Sequence, residues 1–393
     1  MFRATDGIVL PTTIIGSLPR PSWYSESLGS RSFREAMVNA RYREQYLDAV
    51  SSFLRDQETA GLDIVTDGDA RFDADVGGHS WFSYAPLHMD GFSGNFAYKL
   101  KGGRAGISTP RGHILHDVLE ARLMPDLTGP VGRGTLDYAA LWKTASRLTT
   151  KPVKFGTITP ELIAMGVRDF HYKDLRGAMN AIADALNEEL NELADAGCPV
   201  IQMEEPQIHL LAAKGLTDAV LNPDTMVDLF NRTVKGLGIK TEVWCHTCWG
   251  NPAQQRIFDK VQSYAPALEA LNRVEADVIT FECCSSGGLD LDAIGKRIKT
   301  KKIAIGVVDH HTLQVETPKE VATLIRKALK HIPAERLVIA SDCGMGREGM
   351  SRRHAFHKMV SIVQGTNIVR RELGAPEAVC LAADDRYSLV ENG

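Results

Sequence analysis

Eight short runs of β-branched and apolar residues punctuate this chain, most of them followed by a stretch with helical spacing. That alternation constrains the fold more than any other feature. The runs cover residues 12–17, 62–69, 152–158, 199–204, 242–248, 277–284, 303–309 and 337–343. Between them, residues 175–196 and 318–331 place apolar side chains at the spacing of an amphipathic helix. Pro160, Pro223, Pro252 and Pro318 stand where helices would begin, a position that tolerates a missing N–H. Strand and helix alternating eight times predict an α/β fold, a (β/α)8 TIM barrel, as a single domain over residues 1–393. A doubly wound open sheet is the runner-up, but it gives no reason for chemistry at so many strand ends.

One connection is out of proportion. The stretch from Asp69 to Lys151 is rich in aromatics and glycine, as in Trp81-Phe-Ser-Tyr84 and Gly102-Gly103. It predicts a long insertion after the second strand, over about residues 72–148, forming an enlarged loop at the C-terminal face of the barrel. Long loops in compact domains usually carry function; padding of the barrel or an oligomer contact is the alternative.

The composition excludes several roles. A hydrophobic content of 44% in 393 residues is ample for a buried core. The net charge of −4, with both signs mixed, gives no reason to expect nucleic acid or an anionic membrane surface as a partner. No apolar run approaches the ~20 residues that cross a bilayer, and the N-terminus lacks the apolar segment of a signal peptide. Seven cysteines, an odd and unevenly spaced set, argue against a disulfide framework and for a reducing, cytoplasmic setting.

In that setting clustered Cys and His mean metal or catalysis. His246 and Cys248 close one apolar run, Glu282 another and Cys343 a third. One imidazole, two thiolates and a carboxylate make a zinc set, Zn2+, and their sequence separations are wrong for a zinc finger. Residues two apart on a strand share a face, so His246 and Cys248 point together while Cys245 faces the opposite way. Glu282 and Cys284 are related in the same manner, which keeps Cys284 in reserve as a ligand.

Together these segments resemble the C-terminal catalytic half of cobalamin-independent methionine synthase. The resemblance rests on His246-Thr-Cys248, on Ala276-Asp-Val-Ile-Thr-Phe-Glu282 and on Asp342-Cys-Gly344, and it runs along nearly the whole chain outside the long insertion. It implies that His246, Cys248, Glu282 and Cys343 hold the zinc. It also implies that Ile15-Gly16-Ser17 binds the carboxylate of an amino-acid substrate, and that His311, oriented by Asp309, is an acid in methyl transfer. Two acidic positions that bind the substrate ammonium in the family correspond to Asp69 and Glu204, one shortened and the other lengthened. The family's tryptophan near the pterin has no counterpart in Phe155-Gly-Thr-Ile-Thr-Pro-Glu161, and the N-terminal half-protein has none either. The resemblance thus implies methyl transfer to a small-molecule thiol, homocysteine giving methionine. The donor is methylcobalamin, a corrinoid protein or methyltetrahydrofolate. A zinc-dependent thiol alkyltransferase of the epoxyalkane:coenzyme M kind is the alternative, and a non-catalytic zinc-binding barrel the third reading.

Overall fold

A computed structural model describes residues 3–29, 31–72, 79–97, 124–204, 207–215, 218–249, 263–346 and 350–384. Pro252, Gly102 and Gly103 lie outside these. The strands are β1 (Val65–Thr66), β2 (Asp90–Ala97), β3 (Met124–Gly132), β4 (Val153–Ile158), β5 (Val200–Glu204), β6 (Glu242–His246), β7 (Val278–Phe281), β8 (Lys302–Gly306) and β9 (Leu337–Ala340). Seven of them form one parallel sheet in the order β1-β4-β5-β6-β7-β8-β9.

The predicted first strand closes this curled sheet, though with less regular pairing than its sequence promised. Thr12 makes a single parallel bridge to Ile339. Around it the Thr13 N–H donates to Ile339 O and the Ile339 N–H to Pro11 O, each at 2.9 Å, while the Ile64 N–H donates to Thr12 O at 3.1 Å. Residues 11–13 therefore join β9 to β1 and complete the α/β barrel.

The helices form where the sequence places its caps. Helix Leu175–Asp195 starts at Asp174, whose carboxylate accepts the Arg176 and Gly177 N–H groups, and it buries Ile182, Leu186, Leu190 and Leu193 along one stripe. Pro160, Pro223 and Pro318 each stand in the first turn of a helix, the last behind a Thr317–Glu320 capping box. These helices cover the outside of the sheet and enclose the main core. A second, smaller cluster fills the bottom of the barrel: Ala4, Ile64, Val200, Trp244, Val278, Ala304 and Val338. Because inward residues recur every second position, the next ones up are Gln202, His246 and Thr280, and the interior turns polar toward the C-terminal rim.

The predicted insertion contains helix His79–His88 and an antiparallel ribbon of β2 and β3, separate from the barrel sheet. Helix Tyr138–Ser146 returns the chain to β4, with the Trp142 indole N–H donating to Val153 O at 3.0 Å.

Closure of the ring is reinforced from outside. Arg370, 2% exposed on the last long helix, donates to Val9 O, Leu10 O and Asp63 Oδ2. The same Asp63 oxygen accepts the Thr12 N–H and hydroxyl, each at 2.8 Å. Arg370→Met would strand the Asp63 carboxylate and two carbonyls, so it should cost about 3–5 kcal/mol. Denaturant unfolding of the metal-free protein checks this; a loss below about 1 kcal/mol would mean closure does not depend on the pair.

Candidate metal centre and active site

β6 delivers His246 to the rim, Cys248 follows two residues later, and the turn after β9 brings in Cys343. One ligand atom from each lies within 4.8 Å of the other two, and all three residues are buried. The two sulfurs are 3.5 Å apart. A disulfide would need about 2.05 Å, whereas two sulfurs each ~2.3 Å from a tetrahedral zinc would be about 3.8 Å apart. The His246 Nδ1 lies 2.5 Å from Thr280 Oγ1. That bond fixes the ring and makes Nε2 the nitrogen offered to a metal, the usual arrangement for a metal-binding histidine. An imidazole and two thiols so disposed fit zinc.

Glu282 is buried beside this trio but stands outside the 4.8 Å group. Its Oε2 accepts the Trp249 N–H at 2.8 Å and its Oε1 accepts the Ser285 hydroxyl at 2.5 Å. Burial pushes its carboxyl above the usual range. Cys284, held in reserve by strand alternation, is not in the group either: β7 ends at Phe281, so the two-residue period stops before Cys284 is reached. Cys245 is fully buried in the main core, as its parity implies.

The turn after β7 is organised by Asp342, whose role the sequence reading passed over. Its Oδ1 accepts the Cys283 and Cys284 N–H groups, both at 2.9 Å, and its Oδ2 accepts the Ser285 N–H at 2.8 Å. Gly306 leaves the space this carboxylate occupies; a methyl group there would collide with it. Asp342 therefore ties the Glu282 turn to the Cys343 turn. Asp342→Ala would leave three backbone donors unmet, each worth about 1–3 kcal/mol. We expect a marked fall in melting temperature together with weaker metal binding. Unchanged metal affinity in a destabilised variant would show that the clamp serves the fold alone.

Across the rim, Asp309 Oδ1 lies 2.7 Å from both the His311 Nδ1 and the His311 backbone N, so Asp309 orients the ring. Burial disfavours the Asp309 charge, but the hydrogen bonds from His311 outweigh it and hold the carboxyl below its ordinary range. His311 Nδ1 is 3.8 Å from Glu282 Oε1, which sets this dyad beside Glu282.

Asp69 and Glu204 meet over Gly16. A Cβ on Gly16 would lie 2.8 Å from Asp69 Oδ2 and 3.4 Å from Glu204 Oε1, so only glycine lets both carboxylates approach that backbone. Asp69 adopts φ +53°, and its N–H is held by Asp67 Oδ1 at 2.9 Å. The Ile15 N–H donates to Ser341 Oγ at 3.1 Å, while Ser17 Oγ accepts the Gly346 N–H at 3.3 Å. The predicted carboxylate-binding segment is thus within reach of both acids.

Several residues here went unnoticed in the sequence. Arg71, 3% exposed, donates to Asp69 Oδ1 at 2.9 Å and to Gly156 O at 2.7 Å, with its guanidinium 4.5 Å from the Phe72 and Phe155 ring centres. Lys154 and Gln202 lie beneath Ile14 and Ile15. Strand parity could have found Gln202, two residues before Glu204. No local pattern marked Arg71. Glu161, also missed, accepts the Gln207 N–H at 3.1 Å, and burial pushes its carboxyl from 4.5 up to about 7. A carboxyl raised in the folded state retains a proton that the unfolded chain has released. Stability from this group is therefore full below about 4.5 and lost as pH rises through about 7. Glu161→Gln should flatten the stability profile across that window; an unchanged slope in denaturant titrations would remove Glu161 as its source.

The profile of the family described as cobalamin-independent synthase, catalytic domain, matches residues 124–365. A 2-hydroxypropyl-CoM lyase of Xanthobacter autotrophicus is 29% identical over 405 residues, covering 95% of this chain and 98% of its own. A methionine synthase of Saccharolobus solfataricus is 30% identical over 365 residues, covering 93% and 96%. Among solved structures, a B12-independent methionine synthase from Shewanella sp. in complex with selenomethionine superposes with a TM-score of 0.74. It is 27% identical, and the match covers 93% of this chain and 99% of that one.

Proposed function

The chain belongs to the cobalamin-independent methionine synthase family, and we propose that it is a zinc-dependent enzyme that methylates homocysteine to methionine. The observation that carries the reading is the convergence of His246, Cys248 and Cys343 at the rim, with the buried Glu282 lying 3.8 Å from His311 Nδ1. Those three residues would hold the zinc, with Glu282 as the fourth donor once it gives up a present hydrogen bond. The chemistry supplied by a bound zinc is ionisation of the acceptor thiol, which by itself titrates near ~8.5.

The rest of the work falls to the chain's own side chains. Gly16 and Ser17 receive the carboxylate of the amino acid, and Asp69 with Glu204 receives its ammonium. His311, with Nδ1 fixed by Asp309, holds a proton at Nε2 for the leaving group of the donor. Burial of the ligands and of Asp69 and Glu204 keeps bulk water from the thiolate.

The local charge balance supports an ammonium-bearing acceptor. Asp67, Asp69 and Glu204 face the cations Arg71 and Lys154, and burial lowers Lys154 from 10.5 to about 7. A sulfonate-bearing thiol would need a surplus of positive charge. Arg71 is already paired with Asp69, Arg20 is held by the carbonyls of Tyr24, Glu26 and Phe72, and Arg347 lies outside the described residues. The second reading, a thiol alkyltransferase with another acceptor or donor, draws on the similarity to the Xanthobacter lyase.

Zinc-loaded protein offered homocysteine and, side by side, methylcobalamin, methyltetrahydrofolate and its polyglutamate should form methionine with one of them. Mass spectrometry reads the product; none from any donor would pass the case to the alkyltransferase. Cys343→Ser should lose zinc and turnover together, whereas His311→Ala should keep its zinc and lose at least tenfold in transfer rate. Full turnover in either variant would remove that residue from its role. Zinc affinity, read by chelator competition, should strengthen as pH rises from about 6 to 8, because the thiols must release their protons to bind. The raised carboxyl of Glu282 adds to that dependence. A flat profile would mean the thiols are not ligands.

A further inference from the structure

The segment that carries the amino-acid subsite is held in an unusual way. Regular ladder pairing stops at Thr13, and from Ile14 to Ser17 the backbone is gripped largely by side chains. Ser341 Oγ takes the Ile15 N–H, and the Thr66 hydroxyl donates to Gly16 O at 2.8 Å. Two further contacts come from below, inside the barrel. Lys154 Nζ donates to Ile14 O at 2.7 Å, and Gln202 Nε2 donates to Ile15 O at 2.9 Å.

Gln202 does more than satisfy a carbonyl. The same Nε2 donates to Glu204 Oε1 at 2.8 Å, so one amide group holds both the backbone and the carboxylate of the subsite. Its Oε1 accepts from Lys154 Nζ at 2.8 Å. Lys154 Nζ donates to Ile14 O as well, so the amide keeps its oxygen toward Lys154 and its nitrogen toward Ile15 O and Glu204. A flipped amide would set its oxygen against Ile15 O and Glu204 Oε1, two acceptors. Gln202 is fully buried and Lys154 1% exposed, above the Trp244 ring at 4.6 Å, and neither has another role in the proposed reaction.

We propose that Lys154 and Gln202 form a positioning pair that sets the geometry of amino-acid recognition. Lys154 orients the Gln202 amide, and the amide locks Glu204 and the Ile15–Gly16 backbone in one register. The inference rests on the reading that this rim binds an amino-acid thiol. It assigns the pair no contact with the reacting sulfur, which distinguishes it from residues of the metal centre.

The test uses the full chain and three probes. L-methionine, titrated calorimetrically into metal-free protein, reports the amino-acid end alone. L-homocysteine and 1-propanethiol, titrated into cobalt-substituted protein and followed by absorption, report thiol binding with and without that end. Gln202→Met keeps the side-chain volume, and Lys154→Met removes the donor that holds the amide oxygen. Each should weaken L-methionine and L-homocysteine binding by about tenfold, the worth of one or two buried hydrogen bonds, and leave 1-propanethiol unchanged. Because both act through one amide, the double variant should be little worse than either single one.

Unchanged L-methionine affinity in Gln202→Met overturns the proposal, as does an equal loss of 1-propanethiol binding, which would mean general loosening. Strict additivity of the two substitutions removes Lys154 as the orienting group. If wild-type protein binds 1-propanethiol as well as L-homocysteine and does not bind L-methionine, the amino-acid reading itself fails and this inference falls with it. That result is read on the wild type before any variant is made.

Discussion

Residues 11–17 close the ring between β9 and β1 with few ladder bonds, and the backbone groups left over must be satisfied from elsewhere. That requirement shapes the rim. Had the segment been fully paired, its carbonyls would have been occupied by neighbouring strands, and the interior at that level could have been apolar like the floor of Val200, Trp244 and Val278. Instead β4 and β5 supply Lys154 and Gln202, and β1 supplies Thr66. A polar layer then sits beneath the acids at the rim. The backbone of residues 14–17 is free of the sheet's repeat, yet held in place.

The two halves of the site are built on opposite electrostatic principles. On the side of His246, Cys248 and Cys343, burial raises Glu282 and, more strongly, Asp342, and among the described residues no cationic side chain pairs with Asp342. Backbone N–H groups take its oxygens instead. A centre of this kind is short of positive charge, which a divalent cation would supply. On the acid side the charges are already matched in part. Arg71, among Phe72, Tyr84, Tyr138 and Phe155, keeps Asp69 in place, and Lys154 is close enough to Glu204 and Asp69 for their fields to oppose its loss of charge. What remains there is a small surplus of carboxylate.

The barrel was legible in the sequence because each inward strand and each helix start carries its own local signal. Pro160, Pro223 and Pro318 mark first turns, the run 199–204 holds strand Val200–Glu204, and the run 242–248 holds strand Glu242–His246. The convergence of His246, Cys248 and Cys343 was legible for the same reason: residues at the ends of parallel strands are brought to one face by the topology alone. Legibility ended where strands end. The alternation argument placed Cys284 on the face of Glu282, but the chain turns after Phe281, and a turn obeys no two-residue period. The grip on residues 14–17 was equally out of reach, because Lys154 and Gln202 reach them from strands far away in sequence, and hydrophobic patterning does not record such pairs. Arg71 lies two residues past Asp69 in a loop whose backbone takes left-handed angles at Gly68 and Asp69, so no periodicity relates the two.

Asp69 shows why the loop had to take that form. A residue with φ +53° carries a steric cost that asparagine and aspartate bear better than longer side chains, since their short polar groups can bond nearby backbone. The Asp67 carboxylate receives the Asp69 N–H, Arg71 takes one Asp69 oxygen, and the other is left facing Gly16. A longer acid would carry its carboxylate past Gly16, into space that Glu204 occupies from the opposite side. Glu204, for its part, lies over Gly156, where a side chain would collide with it. The lengths of the two acids are therefore set jointly by two glycines and one arginine. A change in either acid alone displaces the point at which both meet.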